Sequence, residues 1–177
     1  GQYGDYFKID RKKTFTFDGV TIDGEGKEYT HSIIDNGNTD TIINLNNCTL
    51  KNCKIKGSSG NIIKLFDSTL NITNSTITGC KGGIGIIQAI PAGGNTINKI
   101  NITSSNITDN ESKICYVGKA DVTIDSGTFE NNNRGLISAN KMYNVGSTVT
   151  INGGTFKNNS ATNGGVIFNK ESTVTIN

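Results

Sequence analysis

Apolar residues recur along the chain in pairs separated by one residue, and another apolar residue follows each pair after five positions. This alternation is typical of short β-strands, whose side chains point in turn to two opposite faces. The second members of the pairs are Phe17, Leu45, Ile72, Ile102, Ile124, Ile151 and Ile176. Successive copies therefore lie 22–30 residues apart, and the offset of five holds in all six complete copies. The clearest copy runs from Thr148 to Asn169.

Short strands repeated at this interval predict an all-β fold, a parallel β-helix or solenoid of about six coils of 22–30 residues. We expect the coils to start near residues 14, 41, 69, 96, 121, 147 and 172. Residues 1–177 then form a single β-helix domain. Neither Ile9–Thr14 nor the strand pattern that reaches Asn177 supplies a polar cap for the strand edges. We therefore expect this domain to be a fragment of a longer solenoid, or its ends to be covered by another chain.

Each coil has room for a third strand. We assign its inward positions to Ile33-Ile34, Ile63/Leu65, Gly85/Ile87, Cys115/Val117, Ile137/Ala139 and Ile167. The intervening residues Lys64, Tyr116, Ser138 and Phe168 should face solvent, since burial of the Lys64 ammonium would be costly. The connections that differ between copies are 24–30, 57–60, 89–95 and 140–146. Such loops carry function in repeat proteins.

One polar column follows the third apolar residue of each copy by three positions. Its members are Glu25, Cys53, Cys80, Asn110, Asn132 and Asn159. Asn side chains in register on neighbouring coils can hydrogen-bond to each other and to the turn backbone, so we interpret Asn110, Asn132 and Asn159 as an internal polar ladder.

Four cysteines are present, and two of them share this column. Cys53 and Cys80 should lie on adjacent coils about 4.8 Å apart, where they either form a disulfide or fill the column as two small buried residues. Cys115 is expected in the core, and Cys48 lies in a turn without an evident partner. No Cys or His spacing indicates a metal site.

Composition supports strands and excludes several functions. The chain has 22 Gly, one Pro and no Trp, and its many Asn, Thr and Ile residues favour strands and turns over helices. A net charge of +2 without basic runs gives no nucleic-acid footprint. No apolar run is long enough for a membrane span.

Acceptor sequences for N-glycosylation are frequent. They place possible glycans on Asn47, Asn71, Asn74, Asn101, Asn106, Asn110 and Asn158. We expect Asn71 and Asn101 to face outwards and Asn110 to be inaccessible in the internal column.

Candidate catalytic groups are few. Glycan cleavage needs carboxylates or a basic residue clustered on one face, whereas the outward positions here are mainly Thr, Asn and Ser. Asp18 and Asp23 on one coil form the only candidate pair, and the single histidine, His31, lies in a variable connection. The sequence therefore assigns no catalytic, cofactor-binding or metal-ligating residue and predicts no cofactor.

Threonine pairs suggest a further possibility, the binding of ice or another crystal. Flat Thr-x-Thr arrays suit that role, and Thr14/Thr16, Thr148/Thr150 and Thr173/Thr175 fit it. Lys99 and Asp121 interrupt the array.

A Phe-x-x-Asn step occurs at Phe129–Asn132 and again at Phe156–Asn159. The second step is followed by a Gly-Gly-x-Ile strand at Gly164–Ile167, and Arg134–Ile137 is a partial match to that strand after the first. This pairing resembles the FxxN and GGAI repeats of chlamydial polymorphic outer membrane proteins and of adhesin-like surface proteins of archaea and other microbes. The resemblance implies a right-handed parallel β-helix outside the cell, with an adhesive or structural role and no catalytic residues.

The predicted function is accordingly a non-catalytic, extracellular or cell-surface repeat protein that presents a Thr/Asn-rich face. Its expected partner is a glycan or protein on a host or neighbouring cell, and its ends are expected to allow end-to-end assembly. The alternative is a polysaccharide-active lyase or glycoside hydrolase, because right-handed parallel β-helices include pectin-degrading enzymes.

Overall fold

The computed structural model describes residues 7–9, 13–37, 39–58, 60–93 and 96–177. All 22 regular elements in this part of the chain are short β-strands, arranged as three parallel sheets and one additional strand pair. The chain passes through the three sheets once per coil, so that strands neighbouring in a sheet are one coil apart in sequence. This is a parallel β-helix, as the repeat predicts.

Sheet B is formed by the strands that open each coil. Its order is β2 (Thr14–Asp18), β6 (Ile42–Asn46), β10 (Thr69–Thr73), β13 (Asn98–Thr103), β16 (Ala120–Ile124), β19 (Thr148–Ile151) and β22 (Thr173–Ile176). We number coils 1 to 6 from β2 to β19. The strands of sheet B start within two residues of the predicted coil starts.

Sheets C and A follow in each coil. Sheet C contains β3 (Thr21–Asp23), β7 (Thr49–Lys51), β11 (Thr76–Thr78), β14 (Ser105–Thr108), β17 (Gly127–Glu130) and β20 (Thr155–Lys157). Sheet A contains β1 (Phe7–Lys8), β5 (Ile34–Asp35), β9 (Ile63–Phe66), β12 (Ile87–Ile90), β15 (Cys115–Gly118), β18 (Ile137–Asn140) and β21 (Ile167–Lys170). The separate pair joins β4 (Glu28–Tyr29) to β8 (Lys54–Ile55), both in the stretch between sheets C and A.

The core consists of apolar columns stacked in register along the coils. In sheet B, Leu70 pairs with Ile43 and Ile100, and Ile72 pairs with Leu45 and Ile102. These six side chains have no exposed surface, and burial of each stabilises the fold by about 1.5–3 kcal/mol. At the two ends of the stack these columns continue with Phe15 and Ile176, which are 41% and 69% exposed.

Phe15 corrects one expectation. It occupies the predicted inward column and pairs with Ile43, but it is not buried. Its strand β2 has a sheet partner on only one side among the described residues, so part of the ring lacks a neighbouring coil.

Three corners connect the sheets: the first between sheets B and C, the second between C and A, and the third between A and B. At the first corner Gly19, Asn47, Asn74 and Ser104 share one position and have φ between 48° and 66°. Gly adopts this left-handed conformation freely, and Asn tolerates it better than most residues. Part of the abundance of Asn is therefore explained by corner geometry.

In sheet A the register of coil 3 differs from the predicted one. Ile87 pairs with Ile63, and Ala89 pairs with Leu65, so the assignment of Gly85 to this strand is wrong. The Gly85 N–H instead donates to Asn61 Oδ1 at 3.1 Å, just before the strand begins. Because Ala89 is in a strand and buried, the predicted connection 89–95 is shorter at its start, and its residues 94 and 95 lie outside the described part of the chain.

Candidate binding surface

The predicted Asn column forms a hydrogen-bonded ladder at the second corner. Asn132 Oδ1 accepts from the Asn110 backbone N–H at 3.2 Å and from Asn110 Nδ2 at 3.0 Å. Asn132 Nδ2 in turn donates to Asn159 Oδ1 at 3.0 Å and to the Ile107 carbonyl at 2.8 Å. Asn110 and Asn132 are fully buried, so these bonds satisfy polar groups that no solvent reaches.

Glu25 does not belong to this ladder, contrary to the sequence-based expectation. It is exposed, has a φ of 51° and forms an ion pair with Lys27. Coil 1 turns differently here because two successive residues, Glu25 and Gly26, have the left-handed backbone conformation.

The other two corners have internal ladders that the sequence analysis missed. At the first corner, Ser75 Oγ accepts from the Cys48 N–H, and Ser105 Oγ accepts from the Ser75 N–H. At the third corner, Asn98 Oδ1 accepts from the Ser68 N–H. The sequence signal is a small polar residue at one of two positions relative to each apolar pair. It stands three positions after the second member of the pair, or two positions before the first member. This signal is obscured because Ser and Thr are also common at outward positions.

Cys53 and Cys80 lie side by side, fully buried, at the second corner. All four cysteines are thiols in the structure. A hydrogen bond from Cys80 lowers the pKa of the Cys53 thiol, and the same contact together with burial raises the pKa of Cys80. The disulfide between them stays a prediction.

The remaining two cysteines are also buried. Burial raises the pKa of Cys115 to about 12, as expected for a thiol in the core. Cys48 is a free thiol with no assigned cysteine partner among the described residues, and its Sγ donates to the Asn46 carbonyl at 3.1 Å within the first-corner ladder.

A second Asn ladder runs along the outside of sheet B. Asn101 Nδ2 donates to Asn71 Oδ1 at 2.8 Å, and Asn71 Nδ2 donates to Asn44 Oδ1 at 2.8 Å. Asn44 Nδ2 then donates to Thr16 Oγ1 at 3.0 Å. These amides face outwards but are partly buried, and their nitrogens are engaged in the ladder.

The other possible glycosylation sites differ in accessibility. Asn74 and Asn106 are exposed, whereas exposed Asn47 donates from Nδ2 to Asp18 Oδ1 at 2.9 Å. Of the seven predicted acceptors, Asn74, Asn106 and Asn158 are therefore the more accessible, since Asn158 is exposed as well.

The candidate carboxylates are held in corner hydrogen bonds. Asp23 accepts from the Glu25 N–H at 2.8 Å and from Asn52 Nδ2, and it contacts Lys51 Nζ at 3.1 Å. These contacts, led by the Glu25 N–H, lower the pKa of Asp23, which suits a structural anion better than a proton donor. Asp18 is the last residue of β2 in sheet B, next to the first corner. Asp23 is the last residue of β3 in sheet C, next to the second corner.

His31 contacts neither carboxylate in any hydrogen bond found among the described residues. It is exposed, and its Nδ1 is 3.0 Å from Thr30 Oγ1. In the same part of the chain no three His, Cys, Asp or Glu side chains form a potential metal-binding group. None of the described residues forms a helix long and apolar enough to cross a membrane.

Two clefts flank the outer face of sheet A in coils 4 to 6. The first, of about 800 Å³, is lined by Lys113, Asn133, Arg134, Ser160, Ala161, Thr162, Asn163 and Phe168. The second, of about 460 Å³, is lined by Tyr116, Asn140, Lys141, Met142, Tyr143, Asn144, Lys170 and Glu171. Of the predicted outward residues of this face, Tyr116 and Phe168 border the clefts. Ser138 lies between them but is only 2% exposed, so the expectation that it faces open solvent is wrong.

Comparison with known proteins gives one match. The family described as "Right handed beta helix region" matches residues 41–177, which is more than half of the chain. No curated protein matches the chain. No solved structure matches it either.

Proposed function

Because the chain belongs to the family of right-handed β-helix proteins, we propose that it is a non-catalytic structural or adhesin-like repeat protein that works outside the cell. Its coils present a Thr/Asn-rich surface to a glycan or protein on a host or neighbouring cell. The relation to the repeats of chlamydial polymorphic outer membrane proteins belongs to this proposal.

One observation carries the proposal: the outward polar columns bond to themselves along the rod. Asn44, Asn71 and Asn101 form a continuous amide ladder on sheet B. On sheet C, Thr108 Oγ1 donates to Thr78 Oγ1 at 3.3 Å. Such columns make a regular, rigid polar face, which favours display and adhesion over a focused reaction centre.

The candidate acid–base pair gives further support. Asp18 and Asp23 each accept an amide hydrogen bond from the next coil, through Asn47 and Asn52. Catalytic carboxylates need free access to a substrate and a pKa suited to proton transfer. Both carboxylates here already accept structural hydrogen bonds at the corners.

The alternative is a polysaccharide-active enzyme, and the two clefts on sheet A favour it. A cleft of about 800 Å³ lined by Arg134 and Lys113 is large enough for a sugar chain and contains basic groups.

A binding screen and a turnover assay on the same protein separate the two functions. We expect binding to immobilised glycans or cell-surface extracts without release of reducing ends from a panel of neutral and acidic polysaccharides. Reducing ends that accumulate in proportion to protein concentration would establish the enzyme instead.

The extracellular setting has its own test in the cysteine pair. Disulfides persist in oxidising compartments, and a bridge that closes a loop of this size stabilises a protein by about 3–4 kcal/mol. We expect non-reducing peptide mapping of the protein isolated from its native source to recover Cys53 and Cys80 linked. Cys115, which has no neighbouring thiol in its column, serves as the internal control and should remain free.

Recovery of both Cys53 and Cys80 as free thiols from that source would contradict the bridge. The structural reading of the two residues as small members of the corner ladder would then stand alone.

A further inference from the structure

Two insertions border the outer face of sheet A in coils 4 to 6. Seven residues separate Asn159 from Ile167 in coil 6, whereas four separate Asn132 from Ile137 in coil 5. At the other end of the strands, nine residues separate Ala139 from the next inward residue of sheet B, and this longer connection closes on itself through paired Met142–Val145 backbone bonds. The insertions form two walls, and we call the space between them the sheet A groove; it includes both clefts.

The sheet A groove is positively charged. Its charged lining residues are Lys113, Arg134, Lys141, Lys170 and Glu171. Lys141 and Glu171 pair with each other at 3.0 Å. Among the described residues, Lys113, Arg134 and Lys170 have no carboxylate within ion-pair distance. Lys113 Nζ lies over the Tyr116 ring, 5.8 Å from its centroid, so this cation and this aromatic surface are adjacent. Three cations thus lack a carboxylate partner and can pair with an anionic ligand.

Two aromatic rings flank a depression in the floor of the groove. Tyr116, Ser138 and Phe168 are paired in register on β15, β18 and β21. The small Ser138 is covered, whereas Phe168 is 37% exposed and Tyr116 is partly exposed. The rings stand two strand spacings apart, about 10 Å, which is comparable to the length of a disaccharide.

Amide and hydroxyl groups complete the lining. Asn133 Oδ1 accepts from Ser160 Oγ at 3.3 Å, which joins the second corner of coil 5 to the coil 6 wall and leaves the Asn133 NH₂ group as a donor. Asn163 and Thr162 on the longer coil 6 wall are exposed. This combination of aromatic surface, amides and hydroxyls matches the groups that a sugar ring offers.

We propose that the sheet A groove binds an anionic glycan, whose carboxylate or sulfate groups pair with Lys113 and Arg134 and whose sugar rings lie against Tyr116 and Phe168. The inference rests on the proposed non-catalytic role and names the partner class for it. An extended peptide is less suited, because β15 and β18 are hydrogen-bonded on both sides and offer no free edge for strand addition.

The test measures binding of defined hexasaccharides by calorimetry at low and high salt. A hyaluronan hexasaccharide supplies carboxylates, a heparin hexasaccharide supplies sulfates, and maltohexaose is the neutral probe. We expect one or both acidic probes to bind and maltohexaose to bind at least tenfold more weakly. Arg134→Gln should weaken binding of the acidic probe by roughly tenfold and reduce its salt dependence. Tyr116→Ala should weaken it by roughly tenfold through loss of the ring surface.

Lys99→Gln is the matched control. Lys99 is an exposed cation on sheet B, so its removal changes the net charge equally but leaves the groove intact. Its binding should stay within twofold of the unchanged protein, and circular dichroism should show all variants folded. Preference for sulfate over carboxylate, or the reverse, identifies the source of the anion.

The proposal is overturned if no acidic hexasaccharide binds or if maltohexaose binds equally well. The same holds if polyglutamate binds while the acidic glycans do not. It is also overturned if Lys99→Gln and Arg134→Gln weaken binding equally. Release of reducing ends from a bound probe would instead refute the non-catalytic role and leave the glycan site standing.

Discussion

At the residue scale, Asn serves three different purposes in this chain. Asn47 and Asn74 adopt the left-handed conformation at the first corner. Asn71 bonds along the outer face of sheet B, while Asn110 and Asn132 accept hydrogen bonds from buried backbone N–H groups at the second corner. The composition alone shows only that Asn is abundant, whereas the position within the coil determines which purpose each Asn serves.

The buried ladder predicts a large effect of a single amide. Asn132→Ala leaves the buried Asn110 N–H and the Ile107 carbonyl without their side-chain partners. We expect the free energy of unfolding to fall by about 2–4 kcal/mol, since each unsatisfied buried group costs about 1–3 kcal/mol. Chemical denaturation measures the change.

Asn106→Ala is the control for that substitution. Asn106 is exposed on β14 and makes no side-chain hydrogen bond found among the described residues, so its loss should change stability by less than about 0.5 kcal/mol. Equal effects of the two substitutions would show that the ladder contributes nothing specific.

The ladder also shows how far residue-level prediction reaches. Asn110, Asn132 and Asn159 could be recognised because three identical side chains share one offset from the apolar anchors. The Ser ladders at the other corners mix Cys, Ser, Thr and Asn, so they lack such a motif. The clefts could not be predicted, because the placement of Arg134 beside Phe168 depends on how the longer coil 6 connection folds.

At the element scale, strands are short and corners decide the register. The alternation of apolar residues predicted sheets B and C correctly, because the apolar residue in sheet C always follows the apolar pair in sheet B by the same number of positions. Sheet A was harder, because the second and third corners around it vary in length. In coil 3 the alternation assigns Gly85, two residues before Ile87, to the strand, whereas the pairing with Ile63 starts at Ile87 itself.

A glycine at the first corner tests how closely neighbouring coils approach each other there. A Cβ on Gly127, which has a φ of 136°, would lie 2.3 Å from the Ser105 carbonyl oxygen of the preceding coil. Gly127→Ala should therefore strain the backbone and displace the neighbouring coil. We expect the free energy of unfolding to fall by at least about 2 kcal/mol, and the thermal midpoint to fall with it. Differential scanning calorimetry measures it.

Gly19 provides the comparison at the same corner of coil 1. It has a φ of 66°, but a Cβ there meets no atom within 4 Å. Gly19→Ala should cost only the left-handed backbone strain, about 1–2 kcal/mol, and Gly19→Asn should cost less, since Asn47 and Asn74 occupy this position in coils 2 and 3. A Gly127→Ala protein that is as stable as Gly19→Ala would contradict the predicted close approach.

At the scale of the whole molecule, each coil contacts mainly its neighbours, so the stack behaves as a one-dimensional array. The sequence predicted this architecture because one pattern recurs at nearly constant intervals. It also predicted where copies differ, at 140–146 for example, but the chemical character of the resulting groove emerges only when coils 4 to 6 stand side by side.

Deletion of one complete coil tests the array. Removal of residues 69–98 joins Ser68 to Lys99, and it brings Asn101 next to Asn44 in the same register that Asn71 had. We expect a folded β-rich protein with a single cooperative transition at a lower midpoint, as measured by circular dichroism. Removal of residues 69–83, half a coil from the same start, is the control and should prevent folding, because inward and outward columns no longer coincide.

The two Asn ladders have opposite polarity along the rod. In the inner ladder each amide nitrogen donates towards the following coil, from Asn110 to Asn132 to Asn159. In the outer ladder each donates towards the preceding coil, from Asn101 to Asn71 to Asn44. The amide dipoles therefore oppose one another, unlike the peptide dipoles of an α-helix, which add along its axis. Lengthening such a rod by further coils with both ladders adds stability without building up an axial field.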